Sequence, residues 1–338
     1  MRHLFKRRWK AILMSSLVVL IVLFGFGFYE FQKLQPKNHF KNAPTISAPT
    51  TSQSTRTSST EENSTDQLKD IPKLKENVLN ILLIGSDERK GKNLGHSDSM
   101  ILVHIDLNNH QYNTVSIPRD TRVHLDGYGY TKLTSVQYIK QATSGAKIGI
   151  EAAVNAVSQL TGVPINYYVE TNYEGLQSMV DALGTIDVDV PFDVELTHPW
   201  YKENKDKVIK KGTQTLDGEM TTELVHERYS LKRVDFDRQL LQEKVLIGIA
   251  KSAVQPSHLT KLPKLASTIS DFLIASNMSK TDIVSLGLAL KDVNPDQDVK
   301  YYQLEGQSES LYDDILQNNN SQIVLNEEEL QEVMKHFK

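Results

Sequence analysis

Asp87, Asp98, Arg119 and Asp120 are the charged residues whose setting first suggests chemistry, because each adjoins one of three strongly apolar runs. The runs read Asn80-Ile81-Leu82-Leu83-Ile84-Gly85-Ser86-Asp87, then Met100-Ile101-Leu102-Val103-His104-Ile105, then Val115-Ser116-Ile117-Pro118-Arg119-Asp120-Thr121. Apolar runs bounded by Gly, Ser, Asp and Pro fit strands buried on both faces, so the four charges are expected at strand ends. Open α/β sheets bind ligands at strand ends, and carboxylates gathered with an arginine there suit a metal-assisted anion site. The same spacing also fits helix caps and a surface ion pair.

The wording of these segments is more specific than their periodicity. Asn-Ile-Leu-Leu-Ile-Gly-Ser-Asp, Ser97-Asp98-Ser99-Met100-Ile101-Leu102-Val103 and Ser-Ile-Pro-Arg-Asp-Thr resemble the LytR-CpsA-Psr family of cell-wall glycopolymer transferases. The likeness continues through Tyr130-Thr131-Lys132-Leu133, Tyr167-Tyr168-Val169, Val180 to Gly184, Val188-Asp189-Val190-Pro191 and Leu216-Asp217-Gly218-Glu219. It ends on Arg228 and Asp235-Phe236-Asp237-Arg238-Gln239, so that it covers roughly 78–250.

This resemblance implies a donor in which an anionic glycopolymer hangs from a polyprenyl diphosphate, and an acceptor hydroxyl on peptidoglycan. Teichoic acid, capsule and secondary wall polysaccharide all meet the same phosphate machinery. By motif, Asp87 and Asp98 match carboxylates that hold or orient Mg²⁺, which needs only one or two of them beside phosphates and water. Arg119 matches a bidentate diphosphate clamp, a geometry lysine does not reproduce. Asp120 is expected to orient that arginine or to cap a turn. Lys132, Arg228, Arg238 and Gln242 match further diphosphate-binding positions, and Arg238 and Gln242, four apart, share one helix face.

Against the family pattern, His96 and His226 stand where arginines are usual, Leu241 replaces another, and Asp237 takes the place of a glycine. Imidazole regains positive charge near phosphate or at mildly acidic pH, so His96 and His226 remain candidate diphosphate ligands, with plain polar replacement as the alternative. The departures keep two further readings open: a weakened paralogue that binds lipid-linked wall intermediates as an assembly or regulatory factor, and a phosphohydrolase acting on the same lipid diphosphate.

The elements that must position these residues form an α/β pattern. Helices are predicted over 132–141, 148–160, 173–183, 218–228, 237–254, 279–290 and 327–338, with strands over 166–170, 186–190 and 299–304 after the first three. One large domain over 75–338, with a mixed central sheet flanked by helices on both faces, accounts for this alternation.

The N-terminus predicts a location. Ala11 to Tyr29 lacks charge and is rich in Leu, Val, Ile and Phe, long enough to cross a hydrocarbon core of about 30 Å. Arg2, Lys6, Arg7, Arg8 and Lys10 precede it, so the positive-inside rule predicts a cytoplasmic tail over 1–10 and a signal-anchor helix over 11–30 in the cytoplasmic membrane, with the rest extracellular. A stretch rich in Ser, Thr, Asn and Pro over 35–70 predicts a disordered tether. The sequence has no cysteine, which excludes thiolate chemistry, and beyond the basic tail it carries 33 basic against 42 acidic residues, a net of minus nine that disfavours nucleic acid as a partner.

Overall fold

The computed structural model describes residues 32–49, 74–89, 94–259 and 272–338. The predicted tail over 1–10 and the signal anchor over 11–30 lie outside them, and no helix among the described residues is long and apolar enough to cross a membrane. The strands are β1 (Val78–Ser86), β2 (Ser97–Asp106), β3 (Gln111–Ile117), β4 (Arg122–Leu125), β5 (Gly129–Lys132), β6 (Tyr167–Thr171), β7 (Ile186–Val190), β8 (Val194–Glu195), β9 (Val208–Ile209), β10 (Gly212–Leu216), β11 (Ala275–Ser276), β12 (Val299–Gln303), β13 (Gly306–Asp313) and β14 (Asn318–Leu325). The longer helices are α1 (Leu133–Ser144), α2 (Ala146–Thr161), α3 (Tyr173–Leu183), α4 (Gly218–His226), α5 (Asp235–Ala253), α6 (Lys280–Leu290) and α7 (Glu327–Met334).

A six-stranded mixed sheet in the order β11-β6-β1-β2-β3-β12 forms the centre. β2 runs antiparallel to both β1 and β3, whereas β6 lies parallel to β1 and β12 parallel to β3. The near-continuous apolar runs make sense here because alternate side chains of β1 enter different cores. Leu82 and Ile84 pack with Val136, Ile150 and Val154 of α1 and α2, while Leu79 and Ile81 pack with Ile105, Tyr112 and Tyr167 on the other face. Each such side chain fully removed from water contributes about 1.5–3 kcal/mol. A third core joins β7 to the helices beside it, with Ile186, Val188 and Val190 against Leu224 of α4 and Leu241 of α5.

Local signals explain the helix ends. Ser279 and Asp282 form a reciprocal capping box at α6, and Gly162 ends α2 in the left-handed region at φ 66°. α5 begins two residues earlier than its pattern predicts, at Asp235, because Val234 turns the chain with φ 43°, a strained conformation for a β-branched residue. The antiparallel pair β13 and β14 has no counterpart in the sequence pattern: its Gln, Ser, Glu and Asn residues give no apolar alternation.

Part of the stretch whose composition predicts a tether is packed against the domain. Phe40, 1% exposed, inserts among Leu79, Ile81 and Tyr167, and Ile46 and Ser47 bond to the backbone of Ile165. His39 Nε2 meets Asp282 at 2.7 Å, and Ser285 donates to the Leu34 carbonyl at 2.9 Å. Polar composition hides this strap because one buried aromatic and a few backbone bonds suffice to hold it. Residues 50–73 of that stretch lie outside the described residues. Phe40→Ala should therefore lower unfolding free energy by about 3 kcal/mol in urea denaturation, and a loss below about 1 kcal/mol would show that the strap is not part of the core.

Candidate active site

The antiparallel order of β1, β2 and β3 brings the end of β1, the start of β2 and the end of β3 to one edge: Ser86 faces Ser97, and Met100 faces Ile117. A bulge between Gly85 and Ser86 re-aims the chain there. Asp98 and Arg119 consequently meet, Nη1 donating to Oδ1 at 2.5 Å with both side chains largely buried. Burial alone would lower the arginine's pKa, but Asp98, Asp235 and Asp120 raise it above its ordinary value.

α5 delivers the other half. Asp235 Oδ1 lies 3.0 Å from Arg238 Nη2, 3.7 Å from Arg228 Nε and 3.8 Å from Arg119 Nε. Arg238 is 5% exposed at the side chain and also reaches the Asp98 carbonyl at 3.4 Å. Three guanidinium groups against two carboxylates leave one positive charge uncompensated. The Nε atoms of Arg119, Arg228 and Arg238 are buried without a hydrogen-bond partner, as is Gln242 Oε1. Asp235 Oδ1 is likewise buried without a hydrogen-bond partner, so the cluster holds together by charge more than by hydrogen bonding, and its excess positive charge suits an anion. Arg119, Arg228, Arg238 and Asp98 are thus brought together as the sequence predicts. Asp235 is a site residue that the motif reading misses; its place between Arg228 and Arg238 is the signal that could have found it.

Asp87 and His96 form a neighbouring pair. The Asp87 carboxylate accepts from His96 N at 2.6 Å and lies 3.4 Å from its Nδ1. Burial would raise the Asp87 pKa, but these bonds and the charges of His96 and Arg119 hold it below the ordinary value. The hydrogen bond to Asp87 in turn raises the His96 pKa, against its burial. His96 also stacks on Tyr138, ring centroids 4.5 Å apart. Below this loop Glu170, 1% exposed, accepts from Gln137 Nε2 at 2.5 Å, while Ser97 donates to Gln137 Oε1 and Gly95 N to Gln141 Oε1. A Cβ at Gly95 would overlap Ser86 Oγ and the Glu88 backbone, so only glycine lets the loop approach this closely. Burial pushes the Glu170 carboxyl up to about 7.

Other expectations are redirected. Asp120 does not pair with Arg119; its carboxylate lies 3.3 Å from Lys132 Nζ, and the two bridge the end of β3 to β5. Lys132 is thereby committed to Asp120 rather than to the arginine cluster. Asp237 turns away from the cluster and accepts from Arg233 N and Nε, both at 2.9 Å. Leu241 is fully buried in the third core, where a guanidinium would be desolvated among Val188, Leu224 and Val245. His226 sits edge-on to Tyr173 and Trp200, centroids 5.3 Å from each; burial lowers its pKa, and its Nδ1 is buried without a hydrogen-bond partner.

An apolar cavity of about 260 Å³ opens at this edge, lined by Asp98, Ser99, Tyr173 and Gln242 beside Val169 and Leu246. A second cavity of about 390 Å³ shares Leu83, Val169, Met179, Leu246 and Ile249 with it and continues to Leu286 and Leu290 of α6. The two cavities thus adjoin between the sheet and α3, α5 and α6, and the first reaches Asp98, the partner of Arg119, and Gln242, one turn beyond Arg238 on α5. Tyr173 of this wall is pushed up to about 12 by burial and remains a neutral phenol. Among the described residues no three His, Asp or Glu side chains gather as a metal cage. Asp87, half-exposed after β1, and Asp98, at the start of the adjoining strand, are the carboxylates that could hold a Mg²⁺ whose remaining ligands are phosphates and water.

Comparison with known proteins places this geometry. The LytR_cpsA_psr family model matches residues 45–338. Polyisoprenyl-teichoic acid–peptidoglycan teichoic acid transferase TagU of Bacillus anthracis (strain CDC 684 / NRRL 3495) is 33% identical over 218 residues, 64% of this chain and 66% of the relative, so the match spans just under two thirds of that protein. The crystal structure of Bacillus subtilis TagV superposes with a TM-score of 0.63 at 26% identity, covering 78% of this chain and 97% of the other. A structure of TagT bound to LIIa-WTA gives the same TM-score of 0.63 at 26% identity, covering 80% and 94%.

Two outcomes test the electrostatics. Glu170 has its folded pKa raised from 4.5 to about 7, so its protonated form favours the fold: stability is full below about 4.5 and falls as pH rises through about 7. The fall should be on the order of 3 kcal/mol and vanish in Glu170→Gln, measured by urea titrations at several pH values; an unchanged pH profile in the variant contradicts the assignment. Asp235→Asn should cost about 3 kcal/mol by leaving three guanidinium groups around a neutral amide, with inorganic pyrophosphate recovering much of the loss. Wild-type stability in the variant would show that Asp235 does not hold the cluster together.

Proposed function

Because the chain belongs to the LytR_cpsA_psr family, we propose that it transfers an anionic glycopolymer from a polyprenyl diphosphate carrier to peptidoglycan in cell-wall assembly. The observation that supports this reading is a pair of adjoining apolar cavities of which one is lined by Asp98, the partner of Arg119, because a polyprenyl diphosphate needs an apolar slot beside positive charge. The lipid chain enters the apolar cavities, and the diphosphate is held by the excess positive charge of Arg119, Arg228 and Arg238.

In the transfer, an acceptor hydroxyl oxygen bonds to the phosphorus nearer the sugar while the bridging P–O bond breaks, and polyprenyl phosphate leaves with the electron pair. Arg119 and Arg238, fixed by Asp98 and Asp235, stabilise charge growing on the phosphate oxygens without having to reorganise. The acceptor proton passes to water or to a carboxylate at this strand edge. Asp87 and Asp98 would hold Mg²⁺, which supplies further charge neutralisation of the diphosphate. Tyr173 and Gln242 line the cavity beside Asp98.

The departures from the family pattern carry less weight toward a weakened paralogue than their number suggests. Leu241 occupies a packed core, Asp237 is neutralised by Arg233, and His96 remains a cation-capable partner of Asp87. In the proposed setting a signal anchor over 11–30 holds the protein in the cytoplasmic membrane with its C-terminal domain outside. The strap over 32–49 then joins the domain beside α6, which lines the second apolar cavity, where a membrane-borne lipid arrives.

Arg119→Ala should lower glycopolymer transfer to peptidoglycan by about 10²–10³-fold while the protein still unfolds cooperatively. Arg119→Lys should recover little, since one ammonium does not reproduce two-pronged donation. Full complementation of a deletion strain by the lysine variant would remove Arg119 from the role of phosphate clamp.

A further inference from the structure

The helix that supplies His226 also fixes a set of exposed rings that the proposed donor does not use. Tyr229 is 68% exposed, the most exposed large hydrophobic residue among those described. Its ring lies 4.2 Å from that of His198 and 5.7 Å from the Arg228 guanidinium. Trp200, partly exposed, carries the Arg89 guanidinium 5.3 Å above its ring.

Rings on exposed loops usually lose order, yet two carboxylates one helical turn apart hold these loops in place. Glu227, 1% exposed, accepts from the backbone N–H of Thr197, His198, Arg228, Tyr229 and Ser230 at 2.7–3.1 Å. Burial would raise its pKa, but those bonds hold it below the ordinary value. Glu223, fully buried, accepts from the N–H of Trp200 at 2.7 Å and of Tyr201 at 2.9 Å. Two buried carboxylates thus commit their acceptors to ordering aromatic faces that bury little area of their own.

We propose that His198, Trp200 and Tyr229 form the platform that binds a sugar ring of the acceptor glycan. Pyranose rings present an apolar C–H face that packs on aromatic rings, with hydroxyls left for polar neighbours such as Arg228 and Arg89. Arg228 links this platform to the reacting centre, since the same guanidinium lies over Tyr229 and beside Asp235. Neither His198, Trp200 nor Tyr229 lines the two apolar cavities, which leaves these rings outside the place proposed for the lipid chain. This inference rests on the transferase reading above and adds the acceptor subsite to it.

The test uses the full chain in lipid nanodiscs with Trp9→Phe, which leaves Trp200 as the sole tryptophan of a sequence that has two. The probes are uncrosslinked glycan chains released from peptidoglycan, and a farnesyl diphosphate-linked disaccharide as donor. Glycan chains should change Trp200 fluorescence, and Tyr229→Ala should weaken their binding about tenfold and raise the acceptor KM, with donor binding unchanged. Tyr229→Phe should behave as wild type because the ring face is kept. Glycan binding unaffected by Tyr229→Ala, in a protein that still binds donor and transfers, overturns the platform alone. Loss of donor binding in place of glycan binding would also overturn it, assigning the rings to the donor's sugar. A parent protein that neither binds the donor nor transfers overturns the functional reading and the platform with it.

Discussion

Three guanidinium groups converge on one carboxylate oxygen of Asp235, and much of the site's geometry follows from the need to keep them there. Like charges brought together in a partly buried place repel strongly at low effective dielectric. Asp235 and Asp98 offset most of that repulsion and leave one positive charge uncompensated. The arrangement is therefore set by the protein's own carboxylates, and its remaining positive charge suits an anion. The strained turn at Val234 fits the same logic, since it places Asp235 at the first turn of α5, where the helix dipole also favours a negative charge.

The sheet and the helices contribute opposite properties to this one place. The strand edge supplies charge through Asp98 and Arg119, with Asp87 beside them, while the space between the sheet and α3, α5 and α6 supplies apolar wall. Because β1 alternates between two cores, its side chains can close the helical face on one side and line the cavities on the other. Gly95, Gln137, Gln141 and Glu170 then hold the loop that carries His96 from below, so the pair Asp87–His96 is set by buried polar groups and not by the loop itself.

Much of the fold is legible in the sequence where burial leaves a simple pattern. The three apolar runs are strands, and α3 and β7 begin and end where their periodicity and glycine stops predict. Motif order likewise identifies Arg119, Arg228 and Arg238 as partners, although more than a hundred residues separate the first from the other two. What is not legible depends on contacts between distant elements. Asp235 reads as a helix-start acid until three arginines surround it, Glu170 reads as a polar strand residue until Gln137 covers it, and Phe40 is lost in polar surroundings until it meets Leu79 and Ile81. Asp120 is the converse case: adjacency to Arg119 suggests a pair, but the turn after β3 points its carboxylate at Lys132.

Whether one continuous site takes both ends of a lipid diphosphate is tested most directly by a crystal structure of the protein with a polyprenyl diphosphate and Mg²⁺. The expected density places the diphosphate against Arg119, Arg228 and Arg238, with the chain running between the sheet and α5 toward Leu286. Density for the chain outside this passage, or a diphosphate that does not touch the three arginines, would contradict it.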